Sequence, residues 1–175
     1  MTILETPRLS LRQMTPDDLP ALKRTLQDPI AMTAYEHAFS DQEAQDWLDR
    51  QLARYQKDGF GLWAVLSKET GQWLGQCGIS MQNWEGRMVP EVGYLFERVH
   101  WHHGYATEAA MACRDYAFEV LKLDEVFTII RDTNLPSQRV AERNGMTRRE
   151  TGIRHYYGID MPHYLYSIRR EEWKK

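Results

Sequence analysis

The stretch Trp101-His102-His103-Gly104-Tyr105-Ala106-Thr107-Glu108-Ala109-Ala110 organises the rest of the chain. Gly104 allows a tight turn and a close approach of the backbone to a ligand, and apolar residues follow at the spacing of one helical face. The free N–H groups at the start of such a helix form an anion site, most often for a phosphate. Because many helices that begin after a glycine bind nothing, the stretch alone predicts a turn, a helix and a candidate phosphate site.

Length and composition indicate one globular domain over residues 1–175, with a sizeable core and a cleft. A net charge of −3 with dispersed basic residues is not typical of a nucleic-acid-binding protein. We find neither a signal-peptide pattern nor an apolar run near the ~18 residues of a membrane span. Cys77 and Cys113 lie in apolar runs and are predicted to be buried free thiols of a reducing compartment. We expect a cytoplasmic monomer or homodimer without nucleic-acid or membrane partners.

Local patterns predict six strands and four helices. Thr15-Pro16 and the capping-box pattern of Ser40 and Glu43 open the first two helices, the third follows Gly104, and the fourth follows Pro136 and ends at Asn144-Gly145. The segment between the first two helices, residues 31–39, is either a substrate-side loop or a packed connection. This order predicts a mixed α/β fold. The predicted strands are residues 8–12, 62–66, 73–81, 90–96, 126–130 and 164–168.

Five motifs follow one another along the chain: Glu5-Thr6-Pro7-Arg8-Leu9 with Leu11-Arg12, Glu91-Val92-Gly93-Tyr94, residues 101–109, Asn134 and Ser137 with Glu142-Arg143-Asn144-Gly145-Met146, and Asp160 with Tyr166-Ser167. In this order they resemble the GNAT superfamily of acetyl-CoA-dependent N-acetyltransferases, and within it the RimJ/RimL-type branch of ribosomal-protein N-terminal acetyltransferases. The resemblance implies an α/β fold whose central sheet is mixed and mostly antiparallel. It also implies helices on both faces of the sheet and a splayed pair of parallel central strands.

The resemblance further implies that acetyl-CoA is the acyl donor, that no metal takes part, and that residues 101–109 bind the coenzyme A pyrophosphate. His102 and His103 stand where the family usually has glycine and a basic or amide residue. The change removes glycine's freedom to adopt a positive φ at position 102 and replaces fixed charge with partly protonated imidazoles. It bears on coenzyme affinity rather than on the identity of the site. The predicted coenzyme-binding residues are Tyr94, Leu95, Phe96, His102, His103, Gly104, Tyr105, Ala106, Thr107, Asn134 and Ser137.

Acetyl transfer from a thioester to an amine requires a base for the ammonium, a donor for the oxyanion and a proton for the departing thiolate. Glu91 is the candidate base, directly or through water, and the alternative is a salt-bridged strand carboxylate. Main-chain N–H groups of residues 92–95 are candidates for the acetyl oxygen. By resemblance Ser137 is the candidate proton donor, although helix capping alone would explain a serine there. Asn134 either orients the pantetheine arm or forms an Asx turn.

The acceptor does not follow from the residues. The branch resemblance suggests a protein N-terminus, and a small amine, amino acid or antibiotic is the alternative. Tyr35, Glu91 and Tyr156 are the candidate acceptor-side residues. Tyr94 and Tyr157 either line the acceptor pocket or belong to the hydrophobic core. Tyr156 could instead act as the general acid. Residues 31–39 and 154–161 are expected to shape the acceptor pocket. A rival function is a non-catalytic acyl-CoA-binding module, and His100, His102 and His103 lack the acidic or cysteine partners of a metal site.

Overall fold

The chain is described by a computed structural model over residues 1–156 and 158–173, without the side chain of Tyr156. Within these residues the chain forms eight strands and four α-helices. The strands are β1 (Thr2–Glu5), β2 (Leu9–Arg12), β3 (Leu62–Ser67), β4 (Trp73–Trp84), β5 (Arg87–Phe96), β6 (Glu125–Arg131), β7 (Thr147–Tyr156) and β8 (Ile159–Arg169). The helices are α1 (Leu19–Leu26), α2 (Asp41–Asp58), α3 (Tyr105–Glu119) and α4 (Leu135–Arg143).

All eight strands join one sheet in the order β1-β2-β3-β4-β5-β6-β8-β7. Neighbours are antiparallel except for the central pair β5 and β6, which run parallel and are in register at Glu91 and Phe127. Helices cover both faces, because two adjacent residues of β4 contact different helices. Gln76 accepts a hydrogen bond from Trp47 of α2 at 2.9 Å, and Cys77 lies against Cys113 of α3. The predicted mixed sheet with a parallel central pair is confirmed.

Two strands were missed by the sequence analysis, and several others, most of all β4, β5 and β8, are longer than predicted. The short strand β1 and the largely exposed β7 lie at the two edges of the sheet. An edge strand pairs on one side only and needs no continuous apolar pattern, so its sequence signal is weak. Strand β8 begins at Ile159 instead of residue 164, and residues 84–87 form a tight hairpin turn with Glu85 and Gly86 at φ 48° and 89°.

The helix boundaries follow local capping chemistry. At the start of α2, Ser40 Oγ accepts the Glu43 N–H and the Glu43 carboxylate accepts the Ser40 N–H, both at 3.1 Å, so the predicted capping box is confirmed. Its inner face also contains a polar residue, because Gln51 is fully buried there. Gln51 Oε1 accepts the Leu62 N–H at 3.1 Å, which satisfies a buried amide at the start of β3.

The core contains the two cysteines as buried free thiols, as predicted. Their sulfurs are 3.6 Å apart, a proximity that their 36-residue separation in the chain did not indicate. Burial raises the pKa of the Cys77 thiol, so this thiol stays protonated and unreactive at neutral pH. In the part of the chain that the structure describes, no helix is both long and apolar enough to cross a membrane.

Candidate functional site

Two cavities adjoin near the end of β5. The first, called here the helix-end cavity, has a volume of about 580 Å³ and lies between the end of β5 and the starts of α3 and α4. The second, the arginine cavity, has a volume of about 410 Å³ and lies between α2, β5 and β6. Both are lined by Ala31, Ala34, Tyr94, Leu95, Asn134 and Ser137, which therefore mark their junction.

The helix-end cavity is built around the turn that precedes α3. His102 and Gly104 both adopt left-handed backbone conformations, with φ 66° and 79°. The first helical hydrogen bond runs from the Glu108 N–H to the Gly104 carbonyl at 3.0 Å. The N–H groups of residues 105–107 consequently have no carbonyl partner within the helix and can bind an anion. Trp101 Nε1 donates to the Phe96 carbonyl at 3.0 Å and fixes the turn against β5.

The predicted coenzyme-binding residues lie on this cavity, except for His103. Its Nδ1 donates to the carbonyl oxygens of Trp101 and His100 at 2.8 and 3.1 Å, and its ring stacks on Tyr105 with 5.5 Å between centroids. Because carbonyl oxygens only accept, Nδ1 must carry the proton. His103 therefore braces the turn, whereas His102, Gly104, Tyr105, Ala106 and Thr107 line the cavity.

The start of α3 is also tied to the N-terminal segment of the chain. Glu108 accepts hydrogen bonds from Arg8 Nε at 3.2 Å and from Thr6 Oγ1 at 3.1 Å. The Arg8 guanidinium lies 4.6 Å from the centre of the Tyr105 ring, within the range of a cation–π contact. Thr6 and Arg8 of the first motif therefore contact the start of α3 directly, although about a hundred residues separate them from it in the chain.

The start of α4 corrects one alternative from the sequence analysis. Asn134, not Ser137, caps this helix, because Asn134 Oδ1 accepts the Ser137 N–H at 3.3 Å. Capping therefore does not account for the Ser137 hydroxyl. The Ser137 carbonyl accepts a hydrogen bond from the Tyr94 hydroxyl at 3.0 Å, which fixes both residues at the junction of the cavities.

Sequence reasoning missed two arginines on α4. Arg139 and Arg143 stand one helical turn apart, line the helix-end cavity, and form no ion pair with any described residue. The signal available in the sequence was that these two arginines are four residues apart and follow Ser137, a candidate coenzyme contact. They supply the fixed positive charge that the two histidines of the turn lack.

Glu91 lies within β5, in the predicted strand over residues 90–96, at the point where β5 and β6 cease to pair. Its Oε2 accepts the Ile129 N–H at 2.7 Å, and Thr128 Oγ1 donates to the Val92 carbonyl at 2.9 Å. Side chains thus replace main-chain pairing where the strands separate. Burial raises the pKa of Glu91 to about 7, and the Ile129 hydrogen bond and the nearby Arg154 and Arg54 only partly oppose this shift.

This environment argues against the alternative of a salt-bridged surface carboxylate. Glu91 forms no ion pair within the described residues and lines the arginine cavity. With a pKa near neutrality, the carboxylate can accept a proton and release it again under ordinary conditions.

Some of the residues predicted to contact the acceptor line the arginine cavity. Tyr35 lines the arginine cavity and packs edge-on against Trp47 and Phe39, with centroids 5.9 Å apart in both cases. The 31–39 segment is therefore both a packed connection and a cavity wall. Residues 154–161 belong mostly to the hairpin of β7 and β8, from which Arg154 reaches the cavity. The side chain of Tyr156 and the whole of Tyr157 lie outside the described residues.

No group of three or more His, Cys, Asp or Glu side chains within the described residues could hold a metal ion. Three features describe the site: a turn with N–H groups that have no partner within the helix, a partly buried carboxylate with a raised pKa, and Ser137 at the junction of the two cavities.

Residues 8–147 match the family model described as Acetyltransferase (GNAT) domain. The chain belongs to the GNAT acetyltransferase family. It is 40% identical to the Bacillus subtilis protein YkkB over 146 residues, and this alignment covers 83% of this chain and 85% of YkkB. The predicted family and the predicted acetyltransferase class are confirmed.

Solved structures agree with this assignment. A GNAT-family acetyltransferase from Bacillus anthracis superposes with a TM-score of 0.82 at 24% identity, over 98% of this chain and 99% of that chain. RimL, a ribosomal L7/L12 alpha-N-protein acetyltransferase solved in complex with coenzyme A, superposes with a TM-score of 0.77 at 15% identity, over 97% and 98%. The structural neighbours thus include the predicted branch, and at these identities the likeness concerns the fold.

Proposed function

We propose that this protein transfers an acetyl group from acetyl-CoA to a primary amine, by direct attack within a ternary complex. The observation that carries the proposal is Glu91, a carboxylate with a pKa of about 7 in the wall of one cavity, opposite an anion-binding turn in the adjoining cavity. A single sheet running from Thr2 to Arg169 supports one acetyltransferase domain over residues 1–175.

The helix-end cavity fits the phosphate-bearing part of acetyl-CoA. The N–H groups of residues 105–107 and the positive end of the α3 dipole suit a pyrophosphate. Arg139 and Arg143 add fixed positive charge within reach of the remaining phosphate. Asn134 and Tyr94, at the junction, are placed to contact the pantetheine arm, and acetyl-CoA bound this way supplies an activated thioester next to Ser137.

Glu91 and Ser137 each carry part of the proton transfer. An amine arrives as an ammonium with a pKa near ~10, and Glu91 takes its first proton. As the new C–N bond forms and the C–S bond breaks, the Ser137 hydroxyl gives its proton to the sulfur and takes the second proton of the amine. Glu91 then releases its proton to solvent, so the transfer yields an amide, a free thiol and one proton.

For the acceptor, the branch resemblance supports a protein N-terminus, which is the acceptor that the name of the structural neighbour RimL describes. The arginine cavity supports a small amine as a second candidate, because its volume of about 410 Å³ is in the usual range for small-molecule pockets. We also place the protein in the cytoplasm, since a reducing compartment keeps the adjacent thiols of Cys77 and Cys113 free.

A paired measurement tests the proposal. Acetyl-CoA should raise the melting temperature of the protein, and a panel of peptides and small amines should release free coenzyme A thiol, with the acetylated product identified by mass spectrometry. Stabilisation by acetyl-CoA without thiol release from any amine would instead establish a non-catalytic acyl-CoA-binding module. An unchanged melting temperature at saturating acetyl-CoA would contradict the proposed donor.

A further inference from the structure

The arginine cavity is strongly basic, although the chain as a whole has a net charge of −3. Among the described residues that line it, Glu91 is the one acid. Many arginines elsewhere are paired with carboxylates, as in Arg12–Asp18 at 2.8 Å and Arg24–Glu97 at 2.7 Å. The wall of this cavity therefore carries an excess of positive charge, as the helix-end cavity does at Arg139 and Arg143. Its basic lining residues are Arg50, Arg54, Arg131, Arg154 and His163.

Arg50 and Arg54 contribute to this excess from a single element. They stand one turn apart on α2, and neither forms an ion pair with a described residue, whereas Arg131 pairs with Glu36 at 2.7 Å. Arg54 is partly buried and donates to Gln51 Oε1, a neighbour on its own helix, at 3.3 Å. Burial and repulsion from Arg50 lower the pKa of Arg54, and the charges of Glu91 and Asp58 only partly oppose this shift. An anion bound between them would relieve that repulsion.

We propose that the acceptor is an amine that also carries an anionic group, a carboxylate or a phosphate, and that Arg50 and Arg54 bind this group. The inference rests on the proposed function and names its substrate class. A guanidinium presents donors in a planar fork that matches the oxygens of a carboxylate or phosphate. Arg54 is close enough to Glu91 for its charge to act on that carboxylate, so the anion and the amine of one small molecule can be held at the same time.

The charge of the cavity also favours the chemistry. Nearby arginines disfavour an ammonium and so lower the pKa of the bound amine, which makes its deprotonation by Glu91 easier. The anionic group of the substrate offsets the repulsion that the amine meets on entry. Amines with several positive charges and no anion, such as polyamines or aminoglycosides, lack this compensation and should be poor acceptors.

The test compares amines in matched pairs that differ in the anion: alanine with ethylamine, O-phosphoethanolamine with ethanolamine, and the dipeptide Ser-Asp with its uncharged diamide. Thiol release from acetyl-CoA gives kcat/KM for each. We expect the anionic member to exceed its partner by about 10- to 100-fold in at least one pair, the range of a charge-assisted hydrogen bond. The favoured pair identifies whether the anion belongs to an amino acid, a phosphate or a peptide.

Variants of α2 assign the preference to residues. Arg54→Gln should bring the ratio of the two kcat/KM values close to one, and Arg54→Lys should keep part of it. Lys57→Gln removes the same charge from an exposed position of the same helix that does not line the cavity, so it should keep the full ratio. A ratio lost equally in Arg54→Gln and Lys57→Gln would overturn the assignment, because it would reflect net charge rather than a binding site.

A binding measurement separates this inference from the proposed function. Calorimetric titration of N-acetylalanine and N-acetylphosphoethanolamine into protein saturated with coenzyme A should give a Kd that rises at least about tenfold in Arg54→Gln. Such binding supports the anion site even if no amine is acetylated, in which case the proposed function alone fails. Equal use of both members of every pair overturns the inference and leaves the acetyltransferase standing. Absence of both binding and turnover contradicts the two together.

Discussion

Replacing Glu91 with glutamine should make the protein less active and, above pH 5, more stable. Glutamine retains an oxygen that can accept the Ile129 N–H, which Glu91 accepts at 2.7 Å, and it removes only the charge. In the folded protein burial raises the pKa of this carboxyl from 4.5 to about 7, so the unfolded chain ionises first as the pH rises. The wild type therefore loses stability between these two values, relative to the variant, and the loss levels off above pH 7.

The size of the effect follows from the shift. Linkage gives a difference in the free energy of unfolding between variant and wild type of about 1 kcal/mol at pH 5, about 2 kcal/mol at pH 6 and about 3 kcal/mol at pH 8. Urea unfolding followed by tryptophan fluorescence at these three pH values measures it. Glu69→Gln, which removes a carboxylate from the exposed turn between β3 and β4, is the matched control and should show no such trend. A difference that does not change with pH would refute the raised pKa of Glu91.

Activity supplies the second arm of the same experiment. A carboxylate with a pKa of about 7 is ionised in about one-tenth of molecules at pH 6 and about nine-tenths at pH 8, so kcat/KM of the wild type should rise about tenfold across this range. Glu91→Gln should lose this limb and about 100- to 10,000-fold in rate. A variant that retains both the rate and the pH limb of the wild type would remove Glu91 as the base.

Three further predictions follow from the site and the sheet. Ser137→Ala should lower kcat about tenfold or more with little change in the Kd of acetyl-CoA, because the Asn134 cap needs only the main-chain N–H; an unchanged kcat would contradict its role as proton donor. His102→Gly should raise the free energy of unfolding by about 1 kcal/mol, since a non-glycine residue is strained at φ 66°, and a variant melting below the wild type would contradict this. Gly78→Ala should cost about 1–3 kcal/mol in urea unfolding, because a Cβ there would lie 2.1 Å from the Gly61 carbonyl oxygen; a near-wild-type midpoint would show that β3 can move away.

The sequence predicted best those elements whose signals are local. Ser40 and Glu43 predict the start of α2 because both halves of a capping box lie within four residues of each other. Gly104 predicted the turn before α3, whereas the structure was needed to show that His102, where the family usually has glycine, also adopts a positive φ of 66°. Edge strands failed because an edge imposes no apolar pattern, as the charged strand β7 shows.

Parts of the candidate site could not be predicted because they depend on contacts between distant segments. Arg50 and Arg54 on α2 read as solvated helix charges until the fold brings them to the cavity of Glu91. The pKa of Glu91 is likewise a tertiary property, since the residue type gives an ordinary carboxyl and only burial between separating strands raises it.

Local spacing and capping chemistry thus predicted the four helices, six of the eight strands and the turn that begins at Trp101, and the five motifs indicated the family by resemblance. Those signals act over a few residues, where steric limits and hydrogen bonding are the same in any fold. Tertiary structure alone determined which charges share a cavity and which remain paired, such as Arg8 with Glu108 at 3.2 Å. The strength of an electrostatic interaction depends on the distance between the charges and on their burial. Neither quantity can be predicted from the sequence alone.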